Sequence, residues 1–156
     1  MTVKMTTLAA KAKDVLASVP AAVLSGKETA SLYGIGFLGR WVLSDLSAAG
    51  IRFDACFDGN ASLAGKVVDG VPIRFADELD SATPGFVFIS ARHAVKPISA
   101  RLTELGIANV SCDAFYVARD FAAFQTIHDD VLADERSRTV LRAVMMTMLT
   151  GDRAPV

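Results

Sequence analysis

Three glycines set the first chemical question this chain poses. Tyr33-Gly34-Ile35-Gly36-Phe37-Leu38-Gly39 spells Gly-x-Gly-x-x-Gly, with an apolar run before it and a helical pattern after it. Each glycine answers a separate demand: a tight turn out of a strand, room for a phosphate to meet the backbone, and close packing of the following helix on the sheet. The free N–H groups and dipole of a helix start then face an anion. Asp58 follows Gly39 by 19 residues and stands where a second strand should end, the place from which an acid reaches ribose hydroxyls. Asp54 is the other acid of that segment, but alternation along the strand and its expected end favour Asp58.

A second group of polar residues, Ser90-Ala91-Arg92-His93, follows the most apolar segment, Phe86-Val87-Phe88-Ile89. Strand ends of this kind line the carboxyl edge of a parallel sheet, where ligands bind. Arg92, His93 and Lys96 are suited to a phosphate or sugar, or to a solvated helix start. The expected binding set is Gly34, Gly36, Phe37, Leu38, Gly39, Asp58, Asn60, Ser90, Arg92 and His93. Arg40 and Trp41 open the helix after the glycines, with Arg40 near the phosphate or facing solvent, and Lys66 and Asp69 either fold over a ligand from the connector loop or, the favoured reading, are plain loop polarity. His128, on a charged helix face, is expected at the surface.

No catalytic residues are assigned. A nicotinamide-dependent oxidoreductase needs a proton-transfer group, and no Tyr-x-x-x-Lys pair occurs. A P-loop needs Gly-Lys-Ser or Gly-Lys-Thr, and neither is present. Without Cys-x-x-Cys, and with only two histidines, no metal site is expected. The chain by itself reads as a binding module, with a nucleotide such as an NAD(P)-like dinucleotide as the expected cofactor class.

These residues need a scaffold, and the hydrophobic periodicity supplies one. Met5, Leu8, Ala12, Val15 and Val19 make one face of an opening helix that Pro20 ends. Strands are expected at 30–35, 51–57, 86–90 and 109–112, and helices at 37–49 and 93–105, stopped by Gly50 and Gly106. Residues 59–71 read as loop, with Asp69-Gly70 a turn. Val71-Pro72-Ile73-Arg74 reads as an edge strand, since proline cannot donate to a ladder, and Phe75–Leu79 as one helical turn. The tail shows apolar positions at Phe121, Phe124, Ile127 and Val131, then at Val140, Leu141, Val144, Met145 and Met148. That predicts two helices, or one broken helix, on either side of a solvated charged stretch, 134–138. Alternating strands and helices imply α/β: a Rossmann-like parallel sheet of about four to five strands, flanked by helices, with extra N-terminal and C-terminal helices. The expected divisions are 1–28 helical, 29–118 Rossmann-like and nucleotide-binding, and 119–156 a helical extension or connector.

Composition narrows the partners. The chain has 156 residues, 52% hydrophobic and 21% charged, which suits one folded domain with a small appendage. Sixteen basic against 17 acidic side chains give no electrostatic case for nucleic acid or an anionic membrane surface. There is no apolar run of about 18 residues to span a membrane, and the N-terminus lacks the apolar core of a secretory signal. A cytoplasmic location is expected, with Cys56 and Cys112 as reduced core thiols. The apolar faces of the terminal helices, Met145, Met146 and Met148 above all, suggest a homodimer.

Several motifs together resemble a known family. Leu32–Gly39, then Phe57-Asp58-Gly59-Asn60, Gly65, Asp69-Gly70-Val71-Pro72-Ile73 and Val87–Ser90 resemble the N-terminal Rossmann-like domain attached to FkbM-type methyltransferases. They are also similar to the nucleotide-sugar-binding N-terminal domain of bacterial sugar acyltransferases. Leu132–Arg138 and Leu149-Thr150-Gly151-Asp152 look like the helical connector before an FkbM-type catalytic domain, which favours the methyltransferase relative. Ile35 stands where that family has a small residue. The resemblance implies an accessory domain that binds a nucleotide or nucleotide-sugar. It places S-adenosylmethionine in a further C-terminal methyltransferase domain of a longer parent.

Overall fold

The strand–helix alternation is realised in a computed structural model that describes residues 2–82 and 85–152. In chain order the elements are α1 (Met5–Ser18), α2 (Ala21–Leu24), β1 (Thr29–Tyr33), α3 (Phe37–Ala48), β2 (Arg52–Asp58), β3 (Val67–Val68) and β4 (Val71–Phe75). There follow β5 (Phe86–Ile89), α4 (Val95–Glu104), β6 (Asn109–Ser111), α5 (Cys112–Arg119), α6 (Phe121–Thr126) and α7 (Glu135–Thr150). Short 3₁₀ turns cover Ala61–Leu63, Ala76–Glu78 and Arg92–Ala94.

The chain divides into two compact units: Val19–Cys112, and the described residues of Met1–Ser18 with Asp113–Val156. The first holds a six-stranded sheet of order β3-β4-β2-β1-β5-β6. Every pairing is parallel except β3 with β4. This is an α/β fold of the Rossmann-like type. β1 lies at its centre because Ala30, Ser31 and Leu32 are all buried between β2 and β5. β5 is buried along its whole length, as an unbroken apolar strand covered on both faces must be. Ala55, Phe57, Leu79, Val87, Ile89, Leu102 and Ile107 form one side of the core, so α4 is held by Leu102. Burying the Phe, Leu, Ile and Val side chains among them stabilises the unit by about 1.5–3 kcal/mol each.

Two expectations at the sheet edge change. The segment 59–71 is not all loop: Asn60 caps a 3₁₀ turn by accepting from the Ser62 N–H (3.1 Å), and Val67–Val68 adds an antiparallel strand. Asp69 (φ 48°) and Gly70 (φ 78°) make the two-residue link that this hairpin needs. β4 is therefore not the edge. Pro72 faces Val67 in a ladder only two residues long, where the backbone instead closes through Ile73 N–H to Lys66 C=O (2.8 Å).

The second unit is helical. Leu8 and Ala12 of α1, Val117 and Ala118 of α5, and Met145 and Leu149 of α7 form its core. Met146 and Met148, partly buried, pack on the same cluster. Val140 and Val144 of α7 are exposed, and Ile127 shares a groove with them. α7 begins inside the stretch expected to be solvated: Asp134 caps it, accepting from the Ser137 N–H (2.8 Å) and hydroxyl (2.7 Å). The tail residues 153–156 of the expected extension lie outside the described residues.

His128 is buried, not at the surface. Between α6 and α7, residues Ile127–Val131 wind as a π-helix, seen in the i→i+5 bond from Leu132 N–H to Ile127 C=O (3.0 Å). A wider turn advances fewer degrees per residue, so a face drawn at α-helical spacing misplaces the side chain. His128 Nε2 lies 2.6 Å from Arg142 Nη1, and Nδ1 lies 2.6 Å from Asp129 Oδ1. Arginine can only donate, so Nε2 carries the lone pair and Nδ1 the proton. Arg142 is itself buried and reaches Glu135 and Thr139.

Candidate functional site

The glycine loop is built from both sides. β1 delivers the chain to Gly34, whose φ of +100° is left-handed and whose absent Cβ would stand 2.7 Å from Ser90 Oγ. The Gly34 N–H donates to Phe57 C=O (2.7 Å), and the Ile35 N–H to Asp58 Oδ2 (2.9 Å). Asp58 Oδ1 accepts from the Asn60 N–H (2.8 Å). The carboxylate at the end of β2 thus ties together the two loops that leave β1 and β2. Ser90, at the end of β5, is buried and turns its hydroxyl back to Gly34 C=O (2.6 Å) and Tyr33 C=O (3.0 Å). Asp58 and Ser90 both brace the loop in which they were expected to meet a ligand.

Gly39 permits the close approach of helix and strand: a Cβ there would lie 2.0 Å from Gly34 O. Gly36 differs. It is the N-cap of α3 with φ −70°, no side chain caps the helix, and a Cβ at Gly36 would meet nothing within 4 Å. The amides at the start of an α-helix have no intrahelical acceptor. In α3 the residues that carry them, Gly36, Phe37, Leu38 and Gly39, line a cavity.

That cavity has a volume of about 840 Å³ and lies over the carboxyl ends of β1, β2 and β5. The chain leaves β1 toward β2 on one side and β5 lies on the other, so this is the topological switch point of the sheet. All ten residues of the expected set line it: Gly34, Gly36, Phe37, Leu38, Gly39, Asp58, Asn60, Ser90, Arg92 and His93. Arg40, Trp41, Lys66, Asp69 and Lys96 are not among its lining residues. Asp54 is engaged elsewhere, accepting from Thr29 (2.9 Å) and Ser31 (3.1 Å).

The sequence reading missed Pro97, Ile98 and Arg101, which complete the wall contributed by α4. The signal was present: Pro97 and Arg101 are four residues apart and so share a face of α4. Arg101 also donates to Ala76 C=O (3.1 Å), which fixes it beside the cavity. Arg92 and Arg101 against the single carboxylate Asp58 leave the lining net positive, favourable to an anion. Among the described residues no cluster of three or more His, Cys, Asp or Glu could hold a metal. No helix among them is long and apolar enough to cross a membrane. Cys56, in the core under this site, has its thiol pushed up to about 12 by burial, with Asp69 adding to the effect.

A parallel sheet with a glycine loop, a helix start and a cavity at the switch point defines a Rossmann-like α/β protein. Among solved structures, the fold is similar to the crystal structure of methyltransferase FkbM from Methylobacillus flagellatus KT, with a TM-score of 0.53 and 18% sequence identity. The match covers 95% of this chain and 49% of that one, so the chain spans about half the length of the solved protein. At such identity the likeness is one of fold. It supports the FkbM side of the resemblance and adds nothing to the acyltransferase side. No protein-family model matches the chain, and no curated protein matches it.

Proposed function

We propose that residues 19–112 bind a nucleotide-type ligand by its phosphate, a nucleotide or nucleotide-sugar, as the accessory module of an FkbM-type methyltransferase. The observation that carries this reading is Gly36. Gly34 and Gly39 are required by the packing of the scaffold, but Gly36 has an ordinary φ and empty space around its absent Cβ. A glycine whose missing side chain the packing does not require, on the wall of a net-positive cavity at a helix start, fits a phosphate that must touch the backbone. The bracing roles of Asp58 and Ser90 support it further, because they hold the loop in position before a ligand arrives.

Calorimetric titration of the protein with UDP-sugars, NAD(P)⁺ and S-adenosylmethionine tests the proposal. A UDP-sugar is expected to bind, and Gly36→Val to weaken it about tenfold or more by filling the phosphate position. No heat with any of the three, and no change in Gly36→Val, would refute the reading. Preferential binding of S-adenosylmethionine would turn it toward a methyl-donor site.

A second reading has its own observation. Ile127, Val140 and Val144, 39%, 56% and 48% exposed, line one shallow groove of the helical unit, which suits a self-association face. A single monomeric mass by light scattering, from micromolar to near-millimolar protein, would exclude it.

A further inference from the structure

An anion accounts for the glycine loop but not for the rest of the cavity. Its volume of about 840 Å³ is in the upper part of the range of sites that take up a whole small molecule. Much of its wall is apolar: Phe37 from α3, and Ala94, Pro97 and Ile98 from the opposite side. Phe37 is the anomaly. It lines the cavity, yet the residue is 93% exposed and is not part of the core. A bare aromatic ring on a concave wall is a surface whose burial would be favourable, and a flat ligand ring would bury it by stacking.

We infer that Phe37 is the platform on which the base of the nucleotide stacks, so that the site requires a base but tolerates any of them. This rests on the nucleotide reading above. The ring sits on the first residue of α3, so it stands next to the amides that would take the phosphate. Stacking uses the π face that every base has, not the hydrogen-bonding edge that distinguishes one from another. The apolar residues opposite, Ala94, Pro97 and Ile98, have no side-chain donors or acceptors with which to read that edge.

The full chain is titrated with ADP, GDP, UDP, ribose 5-phosphate and inorganic pyrophosphate, following heat and the fluorescence of Trp41. Trp41 is the single tryptophan and lies one helical turn from Phe37, half-exposed. The three nucleotides are expected to bind within about threefold of one another, and ribose 5-phosphate and pyrophosphate about tenfold more weakly. Phe37→Ala should bring the nucleotides down to the level of pyrophosphate, and Phe37→Tyr should restore them. An exposed side chain can be changed without threatening the fold, and equal urea midpoints would establish that. Equal binding of pyrophosphate and nucleotides, or nucleotide binding unchanged in Phe37→Ala, would overturn the stacking role while leaving the anion site standing. Failure of every compound, pyrophosphate included, would overturn the nucleotide reading and the inference with it.

Discussion

Replacing Gly39 by alanine places a methyl carbon 2.0 Å from the carbonyl oxygen of Gly34 and 2.8 Å from its carbon. Contact at ordinary van der Waals distance would require α3 to retreat from β1 by more than about 1 Å. The loop cannot yield alone, because Gly34 is held through Ser90 Oγ (2.6 Å) and Phe57 C=O (2.7 Å). An overpacked core methyl costs about 1–3 kcal/mol, and backbone neighbours put this one at about 3. Alanine recovers about 1 kcal/mol through its better helix propensity, leaving a net loss of about 2 kcal/mol. Gly36→Ala inserts the same methyl into open space at φ −70°. Its gain in unfolded-chain entropy and its loss as a poorer N-cap are each below about 1 kcal/mol and opposed, so little change is expected.

Urea unfolding followed at Trp41, inside the sheet unit, reads the difference directly. Gly39→Ala should lower the midpoint with an unchanged slope, and Gly36→Ala should leave it in place. Ligand affinity should run the other way: Gly36→Ala weakens it while the protein stays folded. A neutral Gly39→Ala would refute the packing argument. A Gly36→Ala as damaging as Gly39→Ala would mean that Gly36 also serves the scaffold, and the case for a phosphate there would fall.

Two further outcomes follow from buried groups. Cys56 ionises near 9.0 when unfolded but only at about 12 when folded. Its contribution to stability is therefore complete below pH 9 and is lost as pH rises toward 12; native protein at pH 8 should resist a thiol reagent until urea is added, and rapid labelling of both cysteines without urea would contradict this. His128→Ala removes the acceptor of Arg142 Nη1 in a side chain whose Nε already has no partner. A loss of about 1–3 kcal/mol is expected from thermal or urea unfolding, and an unchanged midpoint would show that the pair contributes nothing net.

What could be read in the sequence, and what could not, divides along a physical line. Leu32, the residues Phe86–Ile89 and the glycine spacing are local signals: each segment's own composition dictates strand, turn or helix start. The missed features depend on partners elsewhere. β3 is two residues whose identity as a strand comes from β4 beside it. α5 starts immediately after β6 at Cys112, with no breaker residue to announce the change. His128 was misplaced because a π turn interrupts the period on which its face was assigned. In the site, all ten expected residues line one cavity, but their roles could not be read from type alone: Asp58 and Ser90 look like ligand groups until their bonds to Ile35, Asn60, Tyr33 and Gly34 are seen.

Gly-x-Gly-x-x-Gly is therefore two statements in one motif. Gly34 and Gly39 are conditions of the architecture: a left-handed turn against Ser90 and a helix pressed onto a carbonyl oxygen. Any protein that brings a helix this close to its first strand needs them, whether or not it binds anything. Asp58 belongs with them, since its carboxylate holds the backbone of the loop. What the scaffold leaves unexplained is the pair Gly36 and Phe37, one with a side chain missing where there is room for it, the other exposed and outside the core. Adjacent in the chain, they line the same cavity, where the proposed ligand would set its anion on the backbone and its ring on Phe37. A nucleotide would join both chemistries in one molecule.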